Sequence, residues 1–475
     1  MNNLLFYSIQ ALLLAISLEG DHQFLFKYSY IFFIIQLVLF VLHSKSIADK
    51  SLFFLSPSFV TLLYLCLSFA LGAYAVSREF GLSDTYYRVI QRSKHLNWIT
   101  AYLLGCNLVV YLAIPRYLFK HRPVIAVGDR LPVKWKISKP TGIYYIISFT
   151  ALLLLSLVEI DLSFLGGSGS FSYSLQLAIV IPVCLMLAME GKRFRWLLYL
   201  LIVVFFTAGH FMSKREILFV FLLILLAEVL KGTVRFNYSF GKLLLFVFLG
   251  AVVLYVVIIA SLLRGYGGYN VKNIFDANDY VSVYMKEDYF VDALAVNLEV
   301  NAVYGNSANA AEYVFSGRTP LLKGSTFLKV LFVPIPRSVF PNKPSSMVDV
   351  YTSKFMPVFR REGGSLPIVL YSELLWNFHL PGLLLLFVGY RYFNRLCHSA
   401  FTQIRNGVLS FRNMSVVFLF TIFIQFVRGS GMDMWLVYYL VAIPVLLLLE
   451  YLLKRRYLRV IRTVNVNHRS LLLNA

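Results

Sequence analysis

The chain has 475 residues, of which 59% are apolar and only 14% charged, with a mean hydropathy of +0.72. So little polar surface excludes an ordinary soluble globule. The formal charge of +21 is spread over many short segments rather than gathered on one face, which argues against a nucleic-acid partner.

Taken in chain order, apolar windows of roughly 17–23 residues, the length that crosses about 30 Å of hydrocarbon as a helix, recur about twelve times. They are predicted near 4–18, 25–43, 52–77, 97–115, 142–160, 172–190, 196–212, 216–230, 243–263, 371–390, 414–427 and 435–452. The expected fold is an all-α polytopic membrane bundle. It divides into an N-terminal membrane region of about nine spans (1–263), a large outer loop (264–370), a C-terminal membrane region of about three spans (371–452) and a basic tail (453–475). The first apolar run lacks a basic flank and ends at Glu19-Gly20-Asp21 rather than at a small-x-small site, so it is expected to stay as a helix.

Charge sets the orientation. With the N-terminus inside, the inner segments hold 25 basic residues against five acids, and the outer segments 19 against 18. That asymmetry satisfies the positive-inside rule and puts both termini in the cytoplasm. Cys66, Cys106 and Cys184 fall in predicted spans and Cys397 on the inner side, which suggests neither a disulfide nor a metal cluster. Glu19 and Asp21 have the spacing with which two carboxylates share a divalent ion. A loop this short reads as solvated, and no metal site is expected.

Candidate residues concentrate in the outer segments. The turn GHFMSKREIL (209–218) puts His210, Lys214, Arg215 and Glu216 at a membrane boundary, where a charge is expensive and has a partner or a task. Arg78, Arg88, Arg92, Lys94 and Arg428 join the same side. The large loop opens with RGYGGYN (264–270), which contains Arg264, Tyr266 and Tyr269, and continues through Tyr289 to VDALAVNLEVNAVY (291–304). The latter is expected to be an amphipathic helix on the membrane surface. Beyond SGRTPLLKGSTF (316–327), with Arg318, comes FVPIPRSVFPNKP (332–344). There Pro334, Pro336, Pro341 and Pro344 hold the chain extended and present Arg337 and Lys343 at fixed positions. FRREGGSLPIVLYSELLWNFHLPG (359–382) then returns Arg360, Arg361, Glu362, Glu373, Trp376 and His379 to the membrane face.

Guanidinium groups bind phosphate oxygens bidentately and stay charged at any relevant pH, so outer arginines beside an apolar bundle suit a lipid with a diphosphate head. The chain has no Walker loop, dinucleotide fingerprint, Ser-x-x-Lys nucleophile or His-Glu-x-x-His zinc site, and no cofactor is expected. A transfer reaction outside the cell draws its energy from an already activated substrate, such as a sugar on a lipid diphosphate. Arginines then stabilise the departing diphosphate, and a base near the attacking hydroxyl takes its proton. Plainer readings stand beside these. Arg337 and Lys343 serve as headgroup anchors, Arg215 pairs with Glu216, Glu373 is a favourable charge at a helix start, and the aromatics and histidines form an interfacial belt.

Gly324-Ser325 followed by PIPRSVFPNKP, then SELLWNFHLPG (372–382) entering a span, resembles the loop pattern of the Wzy-type O-antigen polymerases of Gram-negative bacteria. His379 stands where that pattern has glycine. The KRE turn, the cytoplasmic termini and the large late loop are also similar. The resemblance implies a multi-helix membrane glycosyltransferase (GT-C-like) bundle in the bacterial inner membrane. At its periplasmic face a growing glycan would pass from undecaprenyl diphosphate to the terminal sugar of a lipid-linked repeat unit, without a metal. A chain-length co-polymerase would be a further partner. On this reading Glu373, Arg337 and Arg215 are the catalytic candidates, and Lys343, Lys214, Arg264, Arg318, Arg360, Arg361, His379 and Trp376 the substrate-binding ones. Two other functions stay open. An O-antigen ligase shares spans, arginines and leaving group but not the proline-rich cationic loop, and a lipid-linked oligosaccharide flippase calls for charges buried along the spans, where Glu228 is the nearest example.

Overall fold

The structure is a computed structural model that describes residues 2–44, 47–78, 84–119, 139–157, 171–190, 195–208, 214–231, 274–286, 299–332, 339–406, 409–429 and 434–451, with a few isolated positions between them. All regular structure among the described residues is helical. In chain order the helices are α1 (Asn3–Glu19), α2 (His22–His43), α3 (Lys50–Phe54), α4 (Pro57–Ser77), α5 (Asp84–Gln91), α6 (Leu96–Leu112), α7 (Lys139–Leu157), α8 (Phe171–Glu190), α9 (Arg195–Ala208) and α10 (Lys214–Lys231). There follow α11 (Ile274–Lys286), α12 (Val300–Phe315), α13 (Ser325–Phe332), α14 (Met347–Phe355), α15 (Pro357–Arg361), α16 (Leu370–Phe378), α17 (Gly382–Arg405) and α18 (Phe411–Arg428), and then α19 (Met434–Tyr451).

Four of these, α2, α4, α18 and α19, are long and apolar enough to cross a membrane, and α1, α6 and much of α7, α8 and α9 are shorter apolar helices. Apolar side chains on their outer faces are widely exposed, Leu4 and Leu157 each at 75%, an arrangement consistent with a multi-pass chain whose surroundings are hydrocarbon. The predicted window 243–263 falls mostly outside the described residues. Helix starts have local causes. The Asp21 side chain accepts from Gln23 N at 3.0 Å and caps α2, so this member of the carboxylate pair has a structural task. Ser56 caps α4 in front of Pro57, which divides the predicted span 52–77 into α3 and α4.

Two expectations for the later chain are corrected. Of the predicted surface helix 291–304, positions 291–298 lie outside the described residues. From Val300 onward the chain is α12, a helix packed against α4, α5, α6 and α16. Its polar residues Asn306, Ser307, Asn309 and Glu312 are all buried. A leucine and alanine stripe at helical spacing says that one face is apolar, but the Ala and Gly residues of α12 let neighbours approach from every side. Gly72 of α4 shows how close: a Cβ there would lie 2.4 Å from Val300 O.

The predicted span 371–390 is also two elements. The buried nine-residue α16 ends at His379, with φ 56° and ψ −148°. After Leu380-Pro381 the chain reverses into the 24-residue α17. A Cβ on Gly382 would meet Leu374 O at 2.8 Å, so the two helices touch backbone to backbone at the reversal. Such broken helices persist where neighbouring segments satisfy the freed backbone groups.

A buried polar chain anchors α16 in the bundle. Tyr371 OH donates to Asn107 Oδ1 (3.1 Å), Asn107 Nδ2 to Gln36 Oε1 (3.0 Å) and Gln36 Nε2 to Gln10 Oε1 (3.1 Å), while Tyr102 OH donates to Tyr371 O (2.8 Å). The isolated carboxylate noted at Glu228 is paired: Arg195 Nε lies 2.9 Å from it and Tyr199 OH donates to it at 2.9 Å. It is a buried ion pair between helices.

Candidate functional site

Two parts of the motif, the stretch around Gly324-Ser325 and the segment that starts at Ser372, lie against each other, while the first half of PIPRSVFPNKP falls outside the described residues except for Ile335. Leu322 N donates to Trp376 O at 3.0 Å. Gly324 N donates to Asn377 Oδ1 at 3.0 Å, Asn377 Nδ2 to Thr326 Oγ1 at 2.9 Å, and Thr326 Oγ1 to Glu373 Oε1 at 2.7 Å. Glu373 is only 4% exposed. Gly324 has φ +83°, which favours glycine, and its missing side chain leaves room for the Phe378 ring. The glutamate, threonine and asparagine therefore form one buried polar cluster between α13 and α16.

Directly beside it is a cavity of about 310 Å³. Its wall includes Phe327, Leu374 and Phe378, the sequence neighbours of Thr326, Glu373 and Asn377, and it extends between α17, α18 and α19. Leu385, another wall residue, is 48% exposed, so the cavity opens on the apolar outer surface. The lining is almost wholly apolar. A buried polar cluster thus abuts an apolar pocket.

Three residues of α16 and its flank behave unlike the expectation of an exposed ligand surface. Trp376 is 1% exposed, packed on Tyr313 and Tyr351, with Lys354 Nζ over its ring at 5.7 Å. It is a buried packing residue in a cation–π contact, not a platform for a sugar. Ser372 Oγ and Trp376 Nε1 are buried with no hydrogen-bond partner among the described residues, a cost of about 1–3 kcal/mol each. His379, half-buried, sets its ring edge-on to Phe315 at 5.8 Å.

The cations divide into three groups. Arg360 pairs with Asp349 at 2.5 Å and Lys329 lies 3.7 Å from the same carboxylate, and Lys343, only 5% exposed, donates to Ile335 O at 3.2 Å. These tie the loop to itself. Arg318, Arg361 and Lys354 are exposed. Arg264, Arg337, His210, Tyr266, Tyr269 and Tyr289 lie outside the described residues, as do the side chains of Lys214, Arg215 and Glu216, whose backbones begin α10. Arg428 is ion-paired with Glu299.

Residues with no individual signature in the sequence complete the surroundings. In α12, Asn306 accepts from Tyr351 OH at 3.0 Å and Asn309 Nδ2 donates to the same hydroxyl at 3.1 Å; burial pushes that hydroxyl well above its ordinary range, so it remains a donor. The asparagine-rich run NAVYGNSANAAEY (301–313) is the only trace of this network in the sequence. No family model, no curated protein and no solved structure matches this chain.

Proposed function

We propose that the protein is an O-antigen polymerase of the Wzy type, a glycosyltransferase of the bacterial inner membrane with about twelve spans and a GT-C-like bundle. It passes a growing glycan from undecaprenyl diphosphate to the terminal sugar of a lipid-linked repeat unit at the periplasmic face. The observation that carries this reading is the apolar cavity of about 310 Å³ whose wall residues alternate in sequence with Thr326, Glu373 and Asn377. A stretch of a polyprenyl chain would fit the apolar cavity, and the adjoining Thr326–Glu373–Asn377 cluster supplies polar groups next to it. Arg337 and Arg215 neutralise the departing diphosphate, assisted by exposed cations such as Arg318 and Arg361, and Glu373 binds the acceptor sugar. A co-polymerase that sets chain length is a further partner.

The test is complementation of a strain lacking the protein, with surface lipopolysaccharide run on a gel and membrane abundance measured. Cores carrying a single repeat and no ladder in the null strain, and no ladder with Arg337→Lys or Arg215→Ala at native abundance, support the reading. Bare core with long lipid-linked glycan accumulating means a ligase instead.

A further inference from the structure

A second constellation joins Glu312 of α12 to the segment that leads into α6. Glu312, its side chain only 7% exposed, receives Ser93 Oγ at 2.5 Å on one oxygen and faces His95 Nδ1 at 3.3 Å with the other. His95 keeps 32% of its side chain exposed. With the proton on Nδ1 held by the buried carboxylate, Nε2 is the basic nitrogen of the ring. One helical turn on, Trp98 is 50% exposed and its ring stands 6.5 Å from Phe315, which in turn meets His379 at 5.8 Å. His379 follows Phe378 of the cavity wall. An oriented imidazole beside an exposed indole, joined through aromatic contacts to the cavity mouth, is what a saccharide hydroxyl needs: a face to stack on and a base to take its proton.

We propose that His95, oriented by Glu312, is the general base that accepts the proton of the acceptor-sugar hydroxyl. This rests on the polymerase reading. The acceptor oxygen forms a bond to the anomeric carbon of the donor glycan; the bond from that carbon to the diphosphate oxygen breaks, and its electron pair leaves with undecaprenyl diphosphate. The hydroxyl proton passes to His95 Nε2, and the imidazolium formed is stabilised by the Glu312 carboxylate. Glu312 is a positioning residue. Glu312 of α12 is the charged group in contact with the ring, and Arg92 and Lys94 are charged residues close to it in the chain.

Full-length protein in proteoliposomes is given undecaprenyl diphosphate bearing one repeat unit, extracted from the null strain, and release of undecaprenyl diphosphate is followed against pH. The informative variant is His95→Asn, whose amide still donates to Glu312 but cannot serve as a base. Release is expected to slow by about 10²-fold or more at native abundance, to lose its dependence on pH at the acidic end, and to recover in part with added imidazole. Release within about threefold of the native rate overturns the assignment, because a general base contributes far more than that. A loss that follows a fall in abundance and does not respond to imidazole overturns it too, since the dyad then only joins α12 to α6. If native protein releases no undecaprenyl diphosphate, the polymerase reading itself has failed, a result separate from either of these.

Discussion

Thr326 Oγ1 donates to Glu373 Oε1 at 2.7 Å across 47 residues of chain. The bond joins the first turn of α13 to the first turn of α16, and Asn377 closes the cluster from one turn further on. A buried carboxylate that loses a donor carries the desolvation penalty of the unmade bond, about 1–3 kcal/mol and more for a charged group. Thr326→Val, nearly isosteric, is therefore expected to lower the midpoint of thermal unfolding in detergent and to impair polymer formation, whereas Thr326→Ser keeps the hydroxyl and stays close to native in both. Equal behaviour of the two variants would show that the hydroxyl is not what holds Glu373.

The anchor below α16 makes a second prediction. Tyr371→Phe removes the donor to Asn107 Oδ1 while leaving the ring in place. Asn107 still donates to Gln36, so its oxygen alone loses a partner in the bundle interior, at a cost of about 1–3 kcal/mol. The double variant Tyr371→Phe with Asn107→Leu removes the stranded acceptor. It should not be less stable than the sum of the single variants, measured as a thermal double-mutant cycle.

Close approach of α4 to α12 depends on Gly72. The Cβ of any other residue would sit 2.4 Å from Val300 O and 2.6 Å from Tyr304 Cβ, backbone and stem atoms that cannot rotate away. Gly72→Val is expected to cost about 1–3 kcal/mol by overpacking and to reduce folded protein in the membrane. Gly105 of α6, where a Cβ meets nothing within 4 Å, is the control: Gly105→Ala should be neutral or stabilising, since alanine is the better helix former.

The long apolar helices were legible because a 20-residue run has one physical use: α2, α18 and α19 follow their predicted windows closely, and α4 fills the larger part of its own. What the sequence hides is whether an apolar run continues as one helix. Nothing in the composition of 371–390 marks the reversal except Pro381. The break is fixed by contacts, the Gly382 approach to Leu374 and the positive φ of His379, that exist only once α16 is seated. The same holds for α12, whose alternating Asn and Ala residues suit a surface until Tyr351, Pro367 and Ser93 supply partners for its polar atoms. For the candidate site, Gly324-Ser325 and the segment 372–382 were marked in advance, but Thr326, Asn377 and Tyr371 entered through pairings 47 to 264 residues long, which no local pattern encodes. Proline spacing around Lys343 suggested a cation displayed outward; its burial and its bond to Ile335 O show the ammonium turned back on its own loop.

Cavity occupancy is open to a test that leaves the polar cluster untouched. Gly389 of α17 lines the cavity, and a Cβ there meets nothing within 4 Å. Gly389→Phe therefore fills the space without a clash at its root, and replacing a glycine inside a helix removes a cost of roughly 0.5–1 kcal/mol. Folding and abundance should be preserved or slightly improved, with the unfolding midpoint in detergent no lower than native. If a polyprenyl chain occupies this pocket, the ladder of the complemented null strain should shorten or vanish despite that stability, and the smaller Gly389→Ala should leave it intact. A full ladder from a well-folded Gly389→Phe would place the lipid chain elsewhere, because a benzyl group and an isoprenoid cannot share the same volume of about 310 Å³ without one displacing the other.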